Sequence, residues 1–264
     1  MSWPLIHRLV YEQRVRLVLE LLFTAAWGFL LVALFATSDT FNRMLQQQAQ
    51  MLGPVYNLLD LDPLAQWASI GLQHPLFFVG GGLFAIGMGI RAIAGELQDG
   101  SLALSITRPI SRLRWFASQL AVIVPGSILL GAMYGVGCIM AATVTTHQGT
   151  LHPAWMLLAG AEGGLVLLTF GALALLFSAF SADRGRATAW SLGTLVAMYA
   201  LSYLLPLWSG LEDVAKVTPF GWFRPGDLIQ HGTIPWTDVA VLVLYAAVPS
   251  AIAAWRFATR DLAG

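Results

Sequence analysis

The sequence is poor in charge. Of its 264 residues only 11% are Asp, Glu, Lys or Arg, while 57% are hydrophobic and the mean hydropathy is +0.70. Soluble domains carry about 25% charged residues. A soluble protein of this size with so few would expose large apolar patches, so the chain reads as an integral membrane protein. Lysine is nearly missing, Lys216 standing alone. A single cysteine, Cys138, excludes an intrachain disulfide and a cysteine-cluster metal site. The formal net charge of zero leaves no strong field for a nucleic-acid partner, and none is expected. Ten-residue alternating strands, the mark of a membrane β-barrel, do not occur. Nor is there an internal repeat, which argues against an inverted-repeat secondary transporter.

What the sequence does hold is six long apolar runs, at about 17–37, 76–94, 119–143, 154–180, 187–208 and 239–255. Each is long enough to cross a hydrocarbon core of about 30 Å, and helices are the expected form. The fold class is therefore all-α: a single polytopic transmembrane domain over 1–264. The first run lacks a small-residue cleavage site and reads as a span, not a removable signal. Ahead of it, residues 1–16 place Leu5, Leu9 and Val10 against His7, Arg8, Glu12 and Arg14. That pattern predicts an amphipathic interfacial helix.

The cations fall on one face of a six-span topology. Arg8, Arg14, Arg16, Arg91, Arg108, Arg112, Arg114, Arg184, Arg186, Arg256 and Arg260 share it, leaving only Arg43, Lys216 and Arg224 opposite. By the positive-inside rule the rich face, with both termini, is cytoplasmic. The longest connection, 38–75, spaces apolar residues among glutamines and reads as short interfacial helices with turns at Asp62-Pro63 and His74-Pro75. The connection 209–237 carries Thr218-Pro219-Phe220-Gly221-Trp222-Phe223-Arg224-Pro225-Gly226, the composition of a tight cap on the bundle surface. The glycines of the middle spans, among them Gly131, Gly135, Gly160 and Gly164, permit close helix approach.

The loop 95–115 is the most informative segment. The second span breaks at Asp99-Gly100, Ser101 is placed to cap a short helix, Pro109 stops it, and Ser111 is placed to cap the third span. A rigid two-turn helix across the cytoplasmic face suits docking of another protein, although a simple connector obeying the charge rule reads the same way.

The residues Glu96-x-x-x-Gly100-Ser101-Leu-x-Leu, followed by Arg108-Pro109-Ile-Ser-Arg112, resemble the loop after the second span of ABC-2 type transporter permeases. Thr218-Pro219-Phe220 and Phe257-Ala-Thr-Arg260-Asp261-Leu262 resemble the same family, in the same order and topology. Ser101 departs from the family's usual threonine but keeps the hydroxyl. The resemblance implies a membrane half-transporter without an ATPase of its own. It implies a homodimer or heterodimer with a second permease, and a separate ATP-binding subunit that holds ATP and Mg and docks on the interfacial and coupling helices. Glu96, Gly100, Ser101, Arg108, Pro109 and Arg112 are then the coupling residues, and export across a bacterial plasma membrane is the implied activity. The residues agree in one respect: no G-x-x-x-x-G-K-[ST] phosphate loop is present.

Glu162, set among Gly160, Gly163 and Gly164, is the one carboxylate deep in a run. An ionisable group there marks a pathway, a pairing site or a neutralised acid, and it is the candidate for the substrate path. His147 and His152 lack a third ligand in sequence, so no metal and no cofactor are expected in this chain. Walls so poor in charge favour a hydrophobic or amphipathic substrate. An intramembrane lipid-modifying enzyme using Glu162, and a non-transporting scaffold subunit, are the alternative readings.

Overall fold

A computed structural model describes residues 2–35, 38–41, 43–44, 61–100, 111–145, 151–208 and 211–260. Six helical stretches are long and apolar enough to cross a membrane: Trp3–Leu34, Pro75–Gln98, Arg112–Val144, Pro153–Phe180, Arg184–Leu204 and Trp236–Thr259. No strand occurs among the described residues. The chain is an all-α polytopic membrane protein; each of the six helices overlaps one apolar run, and the first begins at Trp3, well ahead of the run at 17–37.

The first helix, α1, runs Trp3–Leu30 and continues into a wide turn at Leu31–Phe35. The sequence separates 1–16 from the first span; the structure joins them in one helix. The cause is local, since no glycine or proline interrupts the chain between Pro4 and Gly28, and the i,i+4 pairs Arg8–Glu12 and Arg16–Glu20 support the join. Leu5 and Leu9 are buried, and the Ser2 N–H donates to Ser118 Oγ at 2.9 Å. The amphipathic stretch is thus the packed base of α1.

A short helix, α2 (Pro63–Gln73), precedes α3 (Pro75–Ile90). Asp62 caps α2 by accepting the Ala65 N–H, so the turn read at Asp62-Pro63 is the start of a helix. The surface position expected for this loop does not hold for α2, which buries Leu64, Ala65, Ala68 and Leu72. One extended residue, His74, parts α2 from α3. Pro75 has no N–H to give, so the last carbonyls of α2 need other donors. Trp27 donates to Gly71, and Tyr199 and Tyr203 both donate to Gln73, while Tyr134 adds a second bond to the Ala68 carbonyl earlier in the helix. Those four rings are why a loop helix can lie inside the bundle.

The helix α3 passes through a wide turn at Arg91–Gly95 and one more turn to Gln98. Ser111 caps α4 (Arg112–Val144) by accepting the Arg114 N–H, the role its spacing predicts. Next come α5 (Pro153–Phe180), then α6 (Arg184–Leu204), capped by Asp183. Short 3-10 turns lead to α7 (Pro225–His231), which stops at Gly232 with φ +66, and α8 (Trp236–Thr259) closes the bundle.

The helix α5 is the axis. Of its most apolar stretch 72% is buried, against 22% for α1, α6 and α8, which therefore form the periphery. Glycines set its contacts. A Cβ on Gly131 or Gly160 would collide with the other's carbonyl, and one on Gly164 would stand 2.6 Å from the Ile128 Cα. Packing of α4 on α5 is backbone against backbone, as the paired small residues predict. At Gly89 a Cβ would lie 2.5 Å from the Gly171 carbonyl, so α3 and α5 touch equally closely.

Candidate functional site

Two regions carry charge that packing alone does not require. The first surrounds Glu162, about 14 Å along α5 from its start at Pro153. Its residue is 3% exposed, and neither carboxylate oxygen has a hydrogen-bond partner among the described residues. Asp238, in the first turn of α8, and Arg224, just before α7, lie within electrostatic range of it. Arg224 donates from Nε and Nη2 to one oxygen of Asp238, at 3.0 and 2.8 Å. Asp238 is buried while the Arg224 side chain is more than half exposed. Two carboxylates thus share one guanidinium, and the pair takes it. Glu162 is left with one negative charge to be cancelled by a proton or by a cation from outside the cluster.

The sequence singled out Glu162 by depth and missed its companions, because Arg224 and Asp238 read there as ordinary loop charges. What brings Arg224 to Asp238 is the course of the cap 218–226. The cap does not lie on the surface as composition suggests. Phe220 packs against Phe78, Phe170 and Tyr199, with ring centroids 4.8, 5.5 and 5.3 Å away, so the cap plugs the bundle between α3, α5 and α6. His152 stacks on Trp155 at 4.4 Å, and His147 lies outside the described residues. Among the described residues no three His, Cys, Asp or Glu side chains converge.

The second region is the arginine-rich end. Ser101, Arg108 and Pro109 fall outside the described residues, so the short coupling helix expected there has no structural description. Gly100 does break the second span, with φ +70, a conformation glycine adopts freely. Glu96 is buried at 5% exposure, within electrostatic range of Arg8. Glu12 accepts from Arg8 at 2.7 Å and from Arg91 at 2.6 Å. The base of α1 and the end of α3 are therefore tied together beside the loop.

Arg112 is committed within the chain. Its Nη1 donates to the carbonyls of Phe257, Ala258 and Arg260, at 3.4, 3.3 and 2.5 Å, capping the last turn of α8. Arg260 in turn donates to Ala179 and Ser181 at the end of α5. Burial, and Arg256 nearby, pull the Arg260 guanidinium below its ordinary pKa. Helices α4, α8 and α5 are joined by these two arginines in succession, a link no sequence spacing announces. Trp115 and Phe257, 5.1 Å apart, pack beside it.

The bundle has a central helix packed through glycines, a buried charge site toward one end, and a tied set of helix termini at the other. No curated protein matches the chain. A family profile described as ABC-2 family transporter protein matches residues 9–262, nearly the whole length. The chain belongs to the ABC-2 family of transporter proteins.

Proposed function

We propose that this permease subunit exports a hydrophobic or amphipathic substrate, driven by a separate ATPase that docks on its arginine-rich end. Membership of the family supports an ATP-binding partner in general; the particular docking surface is our reading. The observation that carries it is the junction of α1 and α3 through Arg91–Glu12 and Glu12–Arg8. A push on the loop 101–110 reaches the base of α1 and the end of α3 together. From α3 it passes to α5 through the Gly89–Gly171 contact. Helices packed backbone to backbone move as a body, because the contact cannot be compressed. ATP and Mg are held by the partner, and a second permease, identical or not, completes the pathway.

The decisive experiment is affinity purification of the full chain from its native membrane. An ATPase is expected to co-purify, with ATP hydrolysis in the eluate; a chain that arrives alone and turns over a lipid without ATP overturns the assignment.

Orientation is open to a direct check. In a Cys138→Ala background, single cysteines at positions 100 and 150 are expected to label from the cytoplasmic and the outer side respectively. Labelling of both from outside would overturn this topology.

Glu162 lies in the path or in its gate, on this reading, and its charge is what matters. Glu162→Gln keeps the shape and removes the negative charge. ATP turnover of the complex is expected to lose its dependence on added amphiphile, while assembly with the ATPase stays normal. Unchanged stimulation across the pH range would return Glu162 to a packing role.

A further inference from the structure

In an unbroken α-helix the Ala94 N–H would bond to the Ile90 carbonyl. In α3 a side chain from α5 stands between them. The Ser178 hydroxyl accepts from the Ala94 N–H at 2.7 Å and donates to the Ile90 carbonyl at 3.0 Å, fully buried. At this point α3 widens into the π turn Arg91–Gly95. Side chains that enter the ladder in this way hold such turns open, and open turns frequently mark functional positions in helices. The placement is specific. On one side of the turn α3 is fixed to α5 by the Gly89 contact. On the other side stand Glu96 and the break at Gly100. The turn therefore separates the part of α3 that belongs to the rigid bundle from the part that leads into the loop 101–110.

We propose that Ser178 is a positioning residue of the transport cycle: its hydroxyl holds the wide turn of α3 and so sets the rotational phase of the segment leading into the loop. The inference rests on the reading of that loop as the coupling element. With the hydroxyl inserted, both backbone groups are satisfied through Ser178. With it withdrawn, Ala94 N–H and Ile90 C=O pair directly, and the serine bonds back to a carbonyl of its own helix, as mid-helix serines do. Every polar group has a partner in both arrangements, which makes this turn a two-state element. The wide turn contains one residue more than an α turn. Closing it rotates everything beyond by about 100° around the helix axis, taking Glu96 out of its buried place near Arg8. A small relative movement of α3 and α5 is thereby converted into a large reorientation of the loop, or the reverse.

The test uses the full chain in lipid nanodiscs in a Cys138→Ala background, with spin labels at Asp99→Cys and Arg184→Cys, both exposed at the arginine-rich end. Ser178→Ala and Ser178→Gly lack the hydroxyl, and each is expected to shift the label distance by several ångströms, at most about 8–9 Å, the chord of that rotation at the helix surface. Ser178→Thr retains the hydroxyl and is expected to keep the wild-type distance. In the complex purified with its ATPase, ATP turnover is expected to change severalfold in the alanine variant and to return in the threonine variant. Wild-type distances in both the alanine and glycine variants overturn the proposal, as does a threonine variant that shifts like alanine, which would assign the effect to side-chain volume. If no ATPase co-purifies, the coupling reading fails while the distances still decide the role of Ser178.

Discussion

Replacing Gly160 with leucine is expected to dismantle the bundle. A side chain there meets the Gly131 carbonyl and the Ala132 Cα, both backbone atoms that no rotamer change can move aside. The helices must part, and the seam formed by Gly131, Gly135, Gly160 and Gly164 opens along its length. Overpacking a core with side chains that can adjust costs about 1–3 kcal/mol; here the obstacle is main chain and the loss is expected to exceed that range. Size-exclusion chromatography in mild detergent, with a thermal ramp, measures it: the monodisperse peak should vanish or melt far below wild type. Gly193→Leu is the control, since nothing lies within 4 Å of a Cβ at Gly193. A Gly160→Leu protein that elutes and melts normally would refute the close seam.

The second large effect separates folding from coupling within one loop. Arg112→Glu removes three charge-assisted bonds to the end of α8 and places a carboxylate against the carbonyls they served. Hydrogen bonds of this kind are worth about 1.5–3 kcal/mol each, and the sign reversal adds repulsion from the negative end of the helix dipole. Loss of stability is expected before any question of ATPase binding arises. Arg108→Glu changes charge on the proposed docking segment. Its expected outcome is a stable protein with weakened ATPase retention, or a complex that hydrolyses ATP without moving substrate. Pull-down, melting temperature and ATP turnover on both variants decide it. Two variants that match wild type in all three measurements would reduce the loop to a connector and remove the main support for the coupling assignment.

The spans were legible because a membrane imposes one requirement on long stretches of chain: apolar side chains around a backbone that satisfies itself. Ser111 and Gly100 were legible because helix ends have local chemistry. The paired glycines of α4 and α5 announced their contact through spacing. What hydropathy could not convey is where a short helix goes when distant rings supply the donors its end lacks, as Trp27, Tyr199 and Tyr203 do for α2. His74-Pro75 looks the same in sequence whether the chain reverses on the surface or breaks inside the bundle. The companions of Glu162 were hidden for a related reason. Arg224 and Asp238 flank a separate short helix, and only the inward course of the cap brings them near α5. Ser178 gave no signal at all, since a serine in an apolar run resembles any other small residue until the neighbouring helix is in place.

The central place of α5 has a consequence for how the protein is made. This helix is the fourth span to leave the ribosome, yet α3 and α4 both rest on it. During synthesis the glycine face of α4 enters the bilayer before its partner exists, and the Ala94 N–H and Ile90 carbonyl have no serine to bridge them. Until residues 153–180 are inserted, α3 is free to run on as an ordinary α-helix, with its end turned away from the phase seen in the finished bundle. If Ser178 holds the turn as proposed, the wide turn is a late feature of biogenesis, formed when α5 arrives. A chain arrested before that point presents quality control with a smooth glycine stripe on α4 and an end of α3 that faces the wrong way.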